Sequence, residues 1–106
     1  MQVDIRGRNV HLSESLLRHA EERLRRALDR VVDRIASVRM QLEDINGPKG
    51  GLDKRCLLHL RLANGGEVTI QQKDGSLYRA INLAVGRLQG TLRERLRRLR
   101  EHRARH

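Results

Sequence analysis

The stretch CLLHLRLANGGEVTI, residues 56–70, is the part of the sequence that decides the expected fold. Apolar residues recur at every second position before and after Asn64-Gly65-Gly66, which is the period of strands with one buried face. An Asn-Gly pair tolerates the positive φ angles that a tight hairpin turn needs. The stretch therefore predicts two strands that pair antiparallel.

Two further strands are predicted on the N-terminal side of this hairpin. Val38, Met40 and Leu42 alternate with polar residues, and the glycine-rich sequence 46–51, NGPKGG, then forms a loop. Val3 and Ile5 alternate in the same way near the start of the chain. With the hairpin, these segments make four strands.

Two amphipathic helices are predicted, one after the first strand and one after the last. Ser13 is the expected N-cap of the first helix, which runs to about residue 35, and Asp74-Gly75-Ser76 caps the second. Apolar residues spaced by three and four mark the core faces. They are Leu17, Ala20, Leu24, Leu28, Val31 and Ile35 in the first helix, and Leu77, Ile81, Ala84, Leu88, Leu92, Leu96 and Leu99 in the second.

The element order predicts an α+β fold, β-α-β-β-β-α. Its four-stranded sheet carries both helices on one face, giving two layers, as in double-stranded-RNA-binding domains. A chain of 106 residues suits one domain, which we place at residues 1–99. The sequence REHRARH, residues 100–106, loses the apolar period, and we expect it to be a basic, disordered tail.

The charge of the chain points to a polyanionic partner. Lys and Arg number 23 against 13 Asp and Glu, for a net charge of +10. Tyr78 is the only aromatic residue besides the histidines, so the aromatic platforms that stack nucleobases are excluded, and binding by backbone charge and shape remains. Only three of the basic residues are lysines. The planar fork of arginine suits phosphate, although high-GC codon usage also enriches arginine.

Ten arginines are the candidate RNA-binding residues. Those of the first helix flank its core stripe, where a solvated surface with Asp/Glu–Arg pairs is the alternative. Those of the second helix have only Glu94 and Glu101 to offset them, which favours an external anion. Helical geometry places four of these opposite the leucines (Arg79, Arg93, Arg97, Arg100) and two on one flank (Arg87, Arg98). The candidates of the first helix are Arg23, Arg26, Arg30 and Arg34.

Three residues near these arginines have two interpretations each. Gly86 and Gly90 lie on the outer face of the second helix, where they either admit an RNA backbone or are tolerated at weakly constrained positions. Tyr78 either covers the edge of the core with its hydroxyl in water or contacts RNA.

The sequence shows no catalytic constellation, metal site or cofactor motif. The five histidines are dispersed, and NGPKGG lacks the Gly-Lys-Ser/Thr ending and the following helix of a phosphate loop. Cys56 is expected to be a buried hydrophobe, and a single cysteine fits a reducing compartment. With no signal peptide and no membrane span, we expect a cytoplasmic protein that takes no small-molecule substrate, binds no membrane and is monomeric when free.

Two segments resemble the short ribosome hibernation-promoting factor and ribosome-associated translation inhibitor family. They are MQVDIRGRNVHLSESL, residues 1–16, and LYRAINLAVGRL, residues 77–88, and the similarity extends over nearly the whole chain. The chain departs from the family pattern at Asn82, where an acid is usual, and at Gly90, where a basic residue is common. It is also expected to lack the C-terminal domain by which long members pair ribosomes.

The resemblance implies a bacterial protein that binds the small ribosomal subunit and its rRNA in the channel of mRNA and tRNA. It would inhibit translation by occupancy, through basic positions that match Arg23, Arg26, Arg30, Arg87, Arg93, Arg97 and Arg98. Two alternatives remain open. One is a general structured-RNA-binding protein, and the other is a basic module that binds an acidic protein or modulates transcription factors.

Overall fold

Strands and helices follow one another in the predicted order. The computed structural model describes residues 1–45 and 53–104, so the predicted loop at 46–51 lies outside the described residues. The elements are β1 (Gln2–Arg8), α1 (Glu14–Leu28), β2 (Ile35–Asp44), β3 (Lys54–Leu62), β4 (Glu67–Asp74) and α2 (Leu77–Ala104). A 3₁₀ segment, Asp29–Arg34, joins α1 to β2. The predicted α+β class is confirmed.

The four strands form one sheet in the order β1-β2-β3-β4. β1 and β2, which α1 connects, are parallel, and the other two pairs are antiparallel. In the predicted hairpin Gly65 has φ +98°, and the Leu62 N–H donates to the Gly66 carbonyl over 2.7 Å. A residue with a side chain would be strained at that angle, which explains the glycine.

The core lies between the sheet and the two helices. The predicted stripe of α1 faces the core as far as Leu28, except that Leu16, not Leu17, is the buried residue in its first turn. The predicted stripe of α2 faces the core as far as Leu92, whereas Leu96 and Leu99 lie beyond it. Ile35 is buried too, but as the first residue of β2. Ser13 caps α1 by accepting the Leu16 N–H, and Ser76 accepts the Arg79 N–H at the start of α2. Cys56 is fully buried, and burial raises the pKa of its thiol to about 12. Within the described part of the chain, no helix is apolar over a length sufficient to span a membrane.

The structure differs from the prediction in three places. The first α-helix ends at Leu28, because the β-branched Val31 and Val32 favour the α conformation less than its other residues do. Val3 is 40% exposed, since β1 is an edge strand. α2 continues through residues 100–104, where a disordered tail was expected, and the ion pair of Arg97 with Glu101 supports its last turns.

Glu43 is the one buried charged residue in the described part of the chain. It lies on the sheet face away from the helices, between Arg8 of β1 and Arg55 of β3 in the strand register. Desolvation raises the pKa of the Glu43 carboxyl, but hydrogen bonds from Arg55 and Gln41 and the charges of Arg55 and Arg8 outweigh it, so the pKa is lowered. The ionised carboxylate therefore stabilises the fold.

Replacing Glu43 with glutamine is expected to lower the free energy of unfolding by about 2 kcal/mol at pH 7, because Arg55 loses its charged hydrogen-bond partner. The folded-state pKa of Glu43 is lowered, so the ionised form contributes above the unfolded pKa of about 4.3 and less as pH falls below it. Denaturant unfolding at pH 7 and pH 3 measures this difference, with the exposed Glu67→Gln as control. A Glu43→Gln loss that does not shrink at acid pH would contradict the ion-pair account.

Candidate nucleic-acid interface

The two helices lie side by side and run in the same direction. The Ser15 and Tyr78 hydroxyls share a hydrogen bond of 3.3 Å, and His19 Nε2 donates to Asn82 Oδ1 over 2.8 Å. Further along, Gln89 Nε2 donates to the Ala27 carbonyl over 3.5 Å. Because the sequence separation in these pairs is constant to within one residue, turns of α1 and α2 lie level with each other. Just beyond Ala27 and Gln89, Arg30 of the 3₁₀ segment and Arg93 of α2 line one cleft.

A cleft of about 630 Å³ opens between the helices at this level. Its walls are the end of α1 with the 3₁₀ segment on one side and the middle of α2 on the other. Ala27, Val31, Leu92 and Leu96 supply apolar surface between them. Five of the ten predicted arginines line the cleft, namely Arg26, Arg30, Arg34, Arg93 and Arg100.

The charge in the cleft is not neutralised by the protein. Asp29 is the one acidic residue among the described residues that line it. Within residues 1–45 and 53–104, none of the five arginine side chains makes a hydrogen bond or an ion pair. All five are exposed. Five guanidinium groups share the cleft with one carboxylate and repel each other, so the cleft presents a positive potential that an anion would relieve.

Three other predicted arginines are paired with carboxylates. Arg79 Nε lies 3.4 Å from Asp74 Oδ1. Arg97 binds both Glu94 and Glu101, and Arg98 Nε lies 3.3 Å from Glu94 Oε1. The hydrogen bond from Arg97 is the main reason that the pKa of Glu94 is lowered. These arginines have less free charge for an external anion than those of the cleft.

Arg87 donates hydrogen bonds to the edge of the sheet. Its Nη1 donates to the Gln71 carbonyl over 2.6 Å and to Gln72 Oε1 over 3.1 Å. Arg95 is not among the ten predicted arginines, but its Nη1 donates to the Glu67 carbonyl over 2.8 Å. β4 is an edge strand, so both arginines satisfy backbone groups that lack a neighbouring strand. In the sequence, the only sign of this shared role is that Arg87 and Arg95 are eight residues apart on α2.

The expected placement of two arginines was wrong. Arg93 and Arg100 do not project opposite the leucines of α2, because they line the cleft beside Leu92 and Leu96. The helix is amphipathic, but α1 covers one flank of it, and the position of α1 does not follow from the spacing of residues within α2. Arg23, the remaining candidate, is half-buried and does not line the cleft.

The seam between the helices continues from the cleft toward their N-termini. Tyr78 is 42% exposed, and its ring centroid lies 5.0 Å from that of His19. A Cβ at Gly86 or Gly90 would meet nothing within 4 Å, so no contact of the described structure requires glycine at either position. Both earlier interpretations of these glycines, close approach of RNA and simple tolerance, remain open.

The chemistry of the cleft is that of phosphate binding. Arginine binds phosphate oxygens through its planar fork, and five arginines line the cleft beside a single carboxylate, that of Asp29. Over the described ranges, no group of three or more His, Cys, Asp or Glu side chains is placed to hold a metal ion. The arrangement can hold a phosphate backbone by charge and hydrogen bonding.

Comparisons with known proteins agree with this fold. The model of the family described as sigma 54 modulation protein / S30EA ribosomal protein matches residues 3–100. A ribosomal subunit interface protein from Coxiella burnetii is 21% identical, with a TM-score of 0.75 over 89% of this chain and 96% of that chain. The N-terminal domain of Protein Y from Thermus thermophilus is 26% identical, with a TM-score of 0.72 over 89% of this chain and 98% of that chain. No curated protein sequence matches the chain.

Proposed function

The chain belongs to the family of sigma 54 modulation proteins and S30EA ribosomal proteins, and from this premise we propose that it is a ribosome hibernation factor. The resemblance seen in the sequence is confirmed, and the family is one of ribosome-associated factors that are not enzymes. In the proposal, the protein binds rRNA of the small subunit in the channel of mRNA and tRNA. It inhibits translation there by occupancy, in the bacterial cytoplasm.

The observation that carries the proposal is the cleft of unpaired arginines between α1 and α2. Charge-assisted hydrogen bonds to phosphate are stronger than neutral ones, and five guanidinium groups in one cleft hold several phosphates at once. Such contacts fix the position of a protein on RNA without reading bases. The near absence of aromatic residues fits the same mode.

The transcription-modulating alternative corresponds to the first part of the family description. A protein partner would be expected to meet a surface with an apolar, aromatic-rich centre. The cleft has arginines around a narrow apolar floor and no aromatic side chain among its lining residues. This lining favours RNA over a protein partner.

Occupancy is tested by competition on isolated small subunits. Subunits preloaded with mRNA and tRNA are expected to bind the protein at least about tenfold more weakly than empty subunits, because both would use the same channel. The comparison uses labelled protein in sedimentation, with a translation assay in parallel. Equal binding to empty and preloaded subunits would refute the channel site, even if the protein still bound ribosomes.

A further inference from the structure

The sheet face that the helices leave open carries a second concentration of positive charge. Strand register places sixteen side chains on this face in a grid of four by four, from Gln2, Asp4, Arg6 and Arg8 of β1 to Glu67, Thr69, Gln71 and Lys73 of β4. Six of the sixteen are basic and three are acidic, which leaves a net charge of +3. The basic residues are Arg6, Arg8, Arg39, Arg55, Arg61 and Lys73.

The acids on this face are already engaged by the protein. Asp4 binds Arg6 over 2.9 Å, and Glu43 is buried against Arg55. Glu67 lies 3.6 Å from His59, whose other ring nitrogen is 3.1 Å from Thr69 Oγ1. Glu67 also lies opposite Arg61 in the strand register, and Glu43 lies opposite Arg8. Within the described part of the chain, however, none of these acids forms an ion pair with Arg8, Arg39, Arg61 or Lys73.

Arg39 and Arg61 are the centre of the unbalanced charge. Arg39 of β2 lies opposite His59, and Arg61 is two residues further along β3, so the two are diagonal neighbours whose Cα atoms are about 7–8 Å apart. Both are exposed, and neither side chain makes a hydrogen bond or an ion pair within the described part of the chain; the same holds for Lys73. Two unpaired arginine side chains that start from neighbouring positions of one sheet face can contact neighbouring phosphates of one RNA strand.

The other side chains of this face favour RNA over a protein as the occupant. Leu57, half-buried, is the one apolar residue of the sixteen, and there is no Tyr, Phe, Trp or Met among them. Protein interfaces bury an apolar centre that is enriched in those residues, whereas RNA backbones are bound by charge and polar groups. The open face is flat, polar and basic.

We propose that the open face of the sheet, through Arg39 and Arg61, binds a second RNA segment, separate from the one in the cleft. The inference rests on the proposed function for the identity of that RNA as rRNA. The cleft lies on the helical side of the molecule, with the core between the two surfaces. The protein would thus join two RNA segments, one on each side.

The experiment uses two short RNA duplexes, one labelled with a donor dye and one with an acceptor, at physiological salt. The protein is expected to bring them together and produce energy transfer. The variant Arg39→Glu/Arg61→Glu is expected to abolish the transfer but still bind one duplex, and Arg30→Glu/Arg93→Glu is expected to abolish it through the cleft. Arg18→Glu/Arg25→Glu makes the same charge change at exposed α1 positions outside both surfaces and is expected to retain transfer.

The sheet variant is also measured on isolated small subunits. Loss of two phosphate contacts is expected to make the slope of log affinity against log salt shallower by about 1.4–1.8. Transfer that survives in the sheet variant would overturn the inference. If the sheet variant loses subunit binding but keeps transfer, the face binds a protein and not RNA. Arg39→Gln/Arg61→Gln and thermal unfolding of each variant separate lost contacts from lost folding.

Failure of the two proposals can be told apart. Energy transfer between naked duplexes does not require ribosomes, so it tests the second surface alone. Selective binding to small subunits without energy transfer would leave the proposed function standing and remove this inference. Energy transfer without selective binding to small subunits would support this inference and refute the proposed function.

Discussion

Replacing Arg30 and Arg93 together with glutamate is expected to lower the affinity of the protein for the small ribosomal subunit by at least about 100-fold. The two residues face each other across the cleft, and neither is held by a carboxylate within the described residues. A hydrogen bond to a charged group contributes about 1.5–3 kcal/mol, and each 1.4 kcal/mol is a factor of ten in affinity. Loss of two such bonds therefore exceeds 100-fold.

The matched control for this variant is Arg18→Glu/Arg25→Glu. It changes the net charge by the same amount on α1, at exposed positions that do not line the cleft. Only a small loss of affinity is expected, from weaker long-range attraction. Circular dichroism should show both variants folded, because all four side chains are exposed. Equal losses in the two variants would mean that net charge alone, and not the cleft, determines binding.

The second large effect is that of salt. If six to ten arginines contact phosphates, affinity for the small subunit is expected to fall by about 10³–10⁵ between 50 and 200 mM salt, because each neutralised phosphate releases counterions. Titration of labelled protein against subunits at several salt concentrations measures the slope. An affinity that barely changes with salt would contradict a phosphate-based interface.

The cleft variant gives this measurement an internal check. Arg30→Glu/Arg93→Glu removes two phosphate contacts, so its slope should be shallower than that of the wild-type protein by about 1.4–1.8. The Arg18→Glu/Arg25→Glu control should keep the wild-type slope. A wild-type slope in the cleft variant would place these two arginines outside the interface.

Much of the fold was predictable because its signals are local. Period-2 alternation located all four strands, and Asn64-Gly65-Gly66 identified the hairpin without any tertiary information. The caps at Ser13 and Ser76 were likewise visible from residue type. The exposure of Val3 could not be predicted from residue type, because the order of strands in the sheet decides which strand lies at the edge.

The candidate site was predictable only as a set of residues. The sequence showed that arginines are concentrated on both helices, but a single-helix projection cannot show which flank the other helix covers. The parallel packing of α1 and α2 therefore moved Arg93 and Arg100 into the cleft. Hydrogen bonds between residues distant in sequence could not be predicted either. The bond from Arg87 to the Gln71 carbonyl is one of them.

Selective binding to the small subunit is the central claim, and sedimentation tests it most directly. The pure protein is mixed with isolated small subunits, large subunits, whole ribosomes or a naked RNA duplex, at rising salt. The account predicts saturable co-sedimentation with every particle that contains the small subunit, at salt concentrations where the duplex and the large subunit no longer bind. Equal affinity for the duplex and the small subunit would contradict it and leave a general RNA-binding protein.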